Sequence, residues 1–227
     1  MNKDIKSKIK NFDYFIIDKD GTLVNSVETY LKTFIVLIEK WFRIPTRYAK
    51  EFFIHTSGIP LEIQVRELLK KYNQDISYEK FLEFKKEFYK IACINEVSLY
   101  NNAEEVLKIL KRNNKKIFLS TGDREDTTIK MLKQKNIHCY FDKILSSDNI
   151  PKSEKHIYEF SKFVNEDIND FVKKSCYIGD GLIDIKIAKI LNIFMVSVAT
   201  TISREELIKE KPDLIINEVG DIIDYLI

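Results

Sequence analysis

The chain predicts an α/β protein whose parallel sheet is interrupted early by an all-helical insertion. Three observations carry this. Six short apolar runs read as strands, and from Ile117 onward helical stretches separate them, as parallel crossovers require. Between Leu23 and Ile117 lie about 90 residues with no convincing strand, far more than an ordinary crossover needs. That interval instead carries apolar side chains at helical spacing.

The first strand is Tyr14–Ile17, which runs into Asp18-Lys19-Asp20-Gly21-Thr22. Strand residues two apart point the same way, so Asp18 and Asp20 face one pocket and Lys19 points away from it, with little effect expected there. Leu31, Phe34, Ile35, Ile38, Trp41 and Phe42 then repeat at helical spacing. So do Leu61, Val65, Leu68, Leu69 and Tyr72, and next Phe81, Phe84, Phe88 and Ile91. These stripes read as the interior of a small helical domain. Residues 102–110 lead back into the sheet as a helix. The remaining strands are 117–120, 143–146, 176–178, Phe194–Val198 and Leu214–Ile216. Ser203-Arg204-Glu205-Glu206 has capping-box spacing and starts a short helix. Residues 219–226 read as a closing helix.

The ends of four strands gather the chemistry. Besides Asp18 and Asp20, the run Ser175-Cys176-Tyr177-Ile178-Gly179 delivers Asp180, and Asp184 follows on the first turn of the next helix, able to turn back. A third run ends Ser120-Thr121-Gly122-Asp123, and a fourth is followed by Pro151-Lys152. In open parallel sheets, ligands bind outside the carboxyl ends of the strands. Two carboxylates at one strand end repel, so holding both needs a cation or a chemical reason. One can attack phosphorus while the other shuttles protons, with a divalent metal between them.

Composition sets limits. The 227 residues suffice for one domain with an insertion, or for two small ones. Hydrophobic residues are 44% and charged residues 32%, which reads as globular. A net charge of +2, with both signs interspersed, demands neither nucleic acid nor an anionic membrane as partner. No apolar run approaches a membrane span, and the charged first ten residues lack a secretory apolar region. Cys93, Cys139 and Cys176 have no metal spacing and read as reduced thiols of a cytoplasmic protein. His55, His138 and His156 lack a partner pattern and read as structural or surface residues.

At this point the chain resembles the haloacid dehalogenase-like phosphohydrolases. Asp18-Lys19-Asp20-Gly21-Thr22 is similar to their first motif, Thr121-Gly122 to the second, Lys152 to the third, and Gly179-Asp180 with Asp184 to the fourth. All four come in the family's order. The resemblance implies a Rossmann-like parallel sheet core, residues 1–24 and 97–227, with an inserted helical cap, residues 25–96. It implies Asp18 as nucleophile forming an aspartyl-phosphate, and Asp20 as the acid that protonates the leaving oxygen and later activates water. Mg²⁺ would be held by the Asp18 carboxylate, the Asp20 backbone carbonyl and Asp180, with Asp184 a further ligand or an orienter of one. Thr121 and Lys152 would bind the phosphoryl oxygens, with backbone donors near Gly21 and Gly122. Ser120 competes with Thr121, and Lys155 with Lys152, since the usual Lys-Pro order is here Pro151-Lys152. Lys19 replaces a more usual apolar residue.

The function implied is hydrolysis of a small phosphorylated metabolite, with the phosphoglycolate phosphatase-like branch the nearest resemblance. A sugar-phosphate mutase is the alternative, disfavoured because Tyr30 stands where such mutases carry a histidine. A non-catalytic phosphometabolite-binding protein is the other, and retention of both Asp18 and Asp20 argues against it. The cap segment around Gly58 reads either as a helix connector or as a loop entering the site. Arg47 and Arg66 are the candidates to meet a second anionic group on the substrate. Oligomeric state is not readable from the pattern.

Overall fold

The computed structural model describes residues 3–92, 97–148 and 150–227. Helix α1 (Lys3–Asn11) leads into β1 (Tyr14–Ile17), and four helices follow before the chain returns to the sheet. These are α2 (Val27–Phe42), α3 (Thr46–His55), α4 (Leu61–Lys71) and α5 (Tyr78–Ala92). Then come α6 (Ala103–Arg112), β2 (Lys116–Ser120), α7 (Glu125–Gln134), β3 (Lys143–Leu145), α8 (Glu154–Phe163), α9 (Ile168–Lys173) and β4 (Ser175–Gly179). The chain closes with α10 (Leu182–Leu191), β5 (Phe194–Val198), α11 (Arg204–Glu210), β6 (Leu214–Ile216) and α12 (Ile223–Leu226), the last entered through one 3-10 turn.

The six strands form one sheet in the order β3-β2-β1-β4-β5-β6, and every pairing is parallel. Such a sheet is covered on both faces, so its strands read as mostly apolar runs rather than as an alternation. All four residues of β1 are buried. Phe15 and Ile17 join the core under α1, α6 and α12, while Tyr14 and Ile16 join the core under α8 and α10. Strand order reverses at β1, with β2 on one side and β4 on the other, and a crevice opens at the carboxyl end of such a switch point.

The four-helix insert has an apolar core of its own, from Val27 to Ala92, with Phe34, Phe81 and Phe84 fully buried in it. Two helices lay outside the sequence reading. Helix α3 buries only Ala49, Phe52 and Phe53 and starts just after Pro45, so its stripe is short. Helix α1 is charged and buries Ile9 alone. At α11, Ser203 Oγ accepts from the Glu206 N–H, as the capping pattern predicts.

Helix ends are closed in an unusual residue. Asn73, Asn114, Asn136, Asn165 and Asn192 all adopt left-handed φ between 52° and 59° just past α4, α6, α7, α8 and α10. Each makes the paired terminal bonds of a Schellman closure, for example Asn114 N–H to Lys111 O and Lys115 N–H to Leu110 O. Cys139 is exposed and Cys176 buried, both as free thiols, while Cys93 lies outside the described residues. Among the described residues, no helix is long and apolar enough to cross a membrane.

Candidate active site

The parallel register places Ile17 beside Leu119 and Ile178, so Asp18 emerges between the ends of β2 and β4. Its N–H donates to Ile178 O at 2.9 Å. Asp180 follows β4 directly and accepts from Thr22 Oγ1 at 3.1 Å and from Thr201 Oγ1. Asp184 sits on the first turn of α10 and turns back, accepting the Gly181 N–H at 3.0 Å. Oxygens of Asp18, Asp180 and Asp184 all lie within 4.8 Å of one another, and all three residues are buried. Gly21 is required beside them. It has φ +82°, and a Cβ there would lie 2.0 Å from Asp180 Oδ2. Its own N–H donates to Val24 O, and its lack of a side chain makes room for Asp180.

Lys152 provides the counter-charge. Its Nζ lies 2.5 Å from Asp18 Oδ1 and 2.7 Å from Asp184 Oδ1, and its side chain is fully buried. Lys155, the competing lysine, is exposed on α8. The loop carrying Lys152 is pinned from below. Lys152 N–H donates to Ser147 Oγ at 3.1 Å, and His156 Nε2 lies 2.8 Å from Ile150 O. A carbonyl only accepts, so Nε2 carries the proton and Nδ1 accepts from Ser120 Oγ at 2.9 Å. Tyr177 O–H in turn donates to Ser120 Oγ at 3.3 Å. Ser120 thus faces the core, and Thr121 lines the open side. Burial and the Lys152 charge lower the His156 pKa to about 4, against the Ile150 bond.

Three carboxylates against one ammonium leave a surplus of buried negative charge. Burial pushes the Asp18 carboxyl well above the usual range, with Lys152 opposing and Asp184 and Asp180 adding to the rise. Burial and Asp184 lift Asp180 to about 6, against the hydrogen bonds from Thr201 and Thr22 and the Lys152 charge. Burial would lower Lys152, but Asp18 and Asp184 outweigh it and hold its pKa well above the ordinary value. An all-oxygen donor set carrying this surplus fits a hard divalent cation.

Lys19 departs from expectation. It points out of the Asp18 pocket, but its long stem returns the ammonium to Asp20. Nζ lies 2.8 Å from Asp20 Oδ2 and 2.9 Å from Asp123 Oδ2, and the side chain is fully buried. Ser26 Oγ also donates to Asp20, and Tyr89 O–H of α5 donates to Asp123 Oδ1 at 3.2 Å. Lys19, Asp123, Tyr89 and Ser26 are therefore site residues that the sequence reading passed over. The available signal was a lysine between two aspartates at a buried strand end, which must find an anion elsewhere.

Asp18, Asp20, Thr121 and Gly122 open onto a cleft of about 70 Å³ whose opposite wall comes from the helical insert. The loop around Gly58 closes it. A Cβ on Gly122 would lie 2.1 Å from Gly58 O, and one on Gly58 would meet Ile183 at 2.7 Å and Lys152 Nζ at 3.4 Å. Outside the cleft, His55 Nε2 of α3 reaches Glu206 of α11 at 3.2 Å. Arg47 and Arg66 do not line the cleft. Arg66 binds Glu62 at 2.9 Å and Ile76 O, and Arg47 stacks over Tyr48.

This fold and this convergence of residues match a known class. The family model of haloacid dehalogenase-like hydrolases covers residues 15–198, and the chain belongs to that family. Pyrophosphatase PpaX of Bacillus pumilus (strain SAFR-032) is 22% identical over 209 residues, spanning 92% of this chain and 93% of its own. Among solved structures, a hydrolase from Pseudomonas syringae superposes with a TM-score of 0.80 at 18% identity, covering 94% of this chain and 97% of its own. A predicted phosphoglycolate phosphatase from Haemophilus somnus 129PT gives 0.76 at 20% identity, with the same coverage. At such identities the structural likeness establishes the fold.

Proposed function

We propose that this enzyme is a Mg²⁺-dependent phosphatase that hydrolyses a small phosphate monoester through an aspartyl-phosphate on Asp18. Residues 1–24 and 97–227 serve as the catalytic core and residues 25–96 as its cap. The observation that carries the reading is the convergence of Asp18, Asp180 and Asp184 within 4.8 Å, around the buried Lys152 and beside Asp20. Family membership and the phosphatase names of the relatives support it.

Asp18 attacks phosphorus in line as the ester P–O bond breaks, and the leaving oxygen takes a proton from the Asp20 carboxyl. Asp20, now ionised, takes a proton from the incoming water. The water oxygen bonds to phosphorus, the Asp18–phosphorus bond breaks, and phosphate leaves. Lys152 offsets charge on the transferring group, and Thr121 donates to one of its oxygens. Asp18, the Asp20 backbone carbonyl and Asp180 would hold the cation, with Asp184 oriented toward it. When bound, it neutralises phosphoryl charge and fixes the line of attack. Tyr30 packs on Phe88 at 5.8 Å between ring centroids, and its phenol in place of an imidazole favours hydrolysis over a mutase.

The test is phosphate release from a panel of small esters with and without Mg²⁺, with Asp18→Asn in parallel. Release that EDTA and the mutation both abolish is the expected result. No release by a folded, Mg²⁺-binding protein refutes the reading.

A further inference from the structure

The floor and the wall of the cleft differ sharply in chemistry. The floor is ionic. The wall facing it, where a leaving group must lie, is mostly apolar and aromatic, with Tyr30, Phe53, Ile59, Leu61 and Phe88, and its polar members Ser57, Gln64 and Tyr89 are uncharged. Among the described residues lining the cleft, none is Arg, Lys or His. The seven positions outside the description carry no basic side chain in the sequence.

The two buried lysines nearby are already committed. Lys152 is bound to Asp18 and Asp184, and Lys19 to Asp20 and Asp123. Asp123 adds a carboxylate to the same cleft. Its Oδ1 accepts from Tyr89 O–H and the Arg124 N–H, and its Oδ2 from Lys19. A second anionic group on the substrate would therefore lie without a cation to pair it, beside Asp20 and Asp123 and against aromatic rings. A buried unpaired charge of that kind is strongly unfavourable. The same rings suit an apolar body, which they cover without losing any polar partner.

We infer that the substrate is the phosphate monoester of a compact, uncharged alcohol with an apolar or aromatic body, and not a substrate bearing a second acid. This rests on the phosphatase reading above. It sets the chain apart from substrates such as phosphoglycolate or pyrophosphate, whose leaving groups carry their own negative charge.

The experiment compares kcat/KM for isobutyl phosphate and phenyl phosphate with that for 2-phosphoglycolate and pyrophosphate, all with Mg²⁺. Isobutyl phosphate matches phosphoglycolate in heavy-atom count and differs in charge. The uncharged leaving groups should be preferred by at least about tenfold. Ile59→Arg and, independently, Leu61→Arg put a cation on the wall, and either should narrow that preference about tenfold or more by raising turnover of phosphoglycolate. Equal or better use of phosphoglycolate or pyrophosphate by the wild type overturns the inference and leaves the phosphatase reading standing. Turnover of none of the four by folded protein overturns that reading and this inference with it.

Discussion

Lys19→Met tests the ionic trio behind the cleft. The ammonium lies 2.8 Å from Asp20 and 2.9 Å from Asp123, with its own side chain wholly shielded from water. At an effective dielectric constant near 20, each contact is worth about 6 kcal/mol of gross attraction. Desolvation of three ions offsets most of that, at several kcal/mol each. Burial alone would lower the Lys19 pKa, yet Asp123 and Asp20 hold it well above its ordinary value, so attraction wins. Methionine fills the stem's volume and removes only the charge. Two carboxylates then face each other without a cation, a loss of about 3–5 kcal/mol. For a chain of this size that is a fall in Tm of roughly 6–20 °C. Thermal and urea unfolding read it directly. In Lys19→Met/Asp123→Asn one surplus charge is also gone, and at least about 1 kcal/mol should return as coupling. A single variant within about 1 kcal/mol of wild type, or a strictly additive double variant, refutes the argument.

Two further outcomes follow from geometry already described. Gly122→Ala places a methyl 2.1 Å from Gly58 O and must displace the cap loop. Overpacking of about 1–3 kcal/mol should lower Tm by roughly 2–12 °C and kcat/KM some five- to 150-fold, and an unchanged kcat/KM would count against closure through this contact. His156 titrates near 4 when folded and near 6.5 when unfolded. Its contribution is complete above about pH 6.5 and is lost as pH falls toward 4, costing about 2 kcal/mol by pH 5. Urea titrations at pH 7.5 and 5 should show that extra loss in wild type but not in His156→Gln, and equal losses would exclude the neutral, buried imidazole.

Much of this molecule was legible because its signals are local. The β1, β4 and β5 runs are buried from end to end and mostly apolar, as a strand covered on both faces tends to be. Asp18, Asp180 and Thr121 follow such runs directly, so placing the strand placed the residue. Lys152 required the family resemblance, because nothing in Pro151-Lys152 alone separates it from Lys155. What local pattern did not show was pairing at a distance. Lys19 finds Asp123 across 104 positions, and period-two reasoning sees which way a Cβ points but not where a four-carbon stem ends. Arg66 looked available for a substrate until its neighbours Glu62 and Ile76 claimed it. Helix α3 was missed because three buried residues make too short a stripe to announce a period.

The asparagine helix closures have a consequence for how this enzyme can change. The chain has only six glycines, and five of them, at 21, 58, 122, 179 and 181, stand in or beside the cleft and its carboxylates. Asparagine serves instead at five outlying helix ends, and none of these five lines the cleft. A left-handed asparagine still carries a Cβ, so glycine at any of those positions relieves some backbone strain. Being far apart, such replacements add nearly independently. At these five helix ends, selection can raise or lower heat tolerance without touching a residue that lines the cleft.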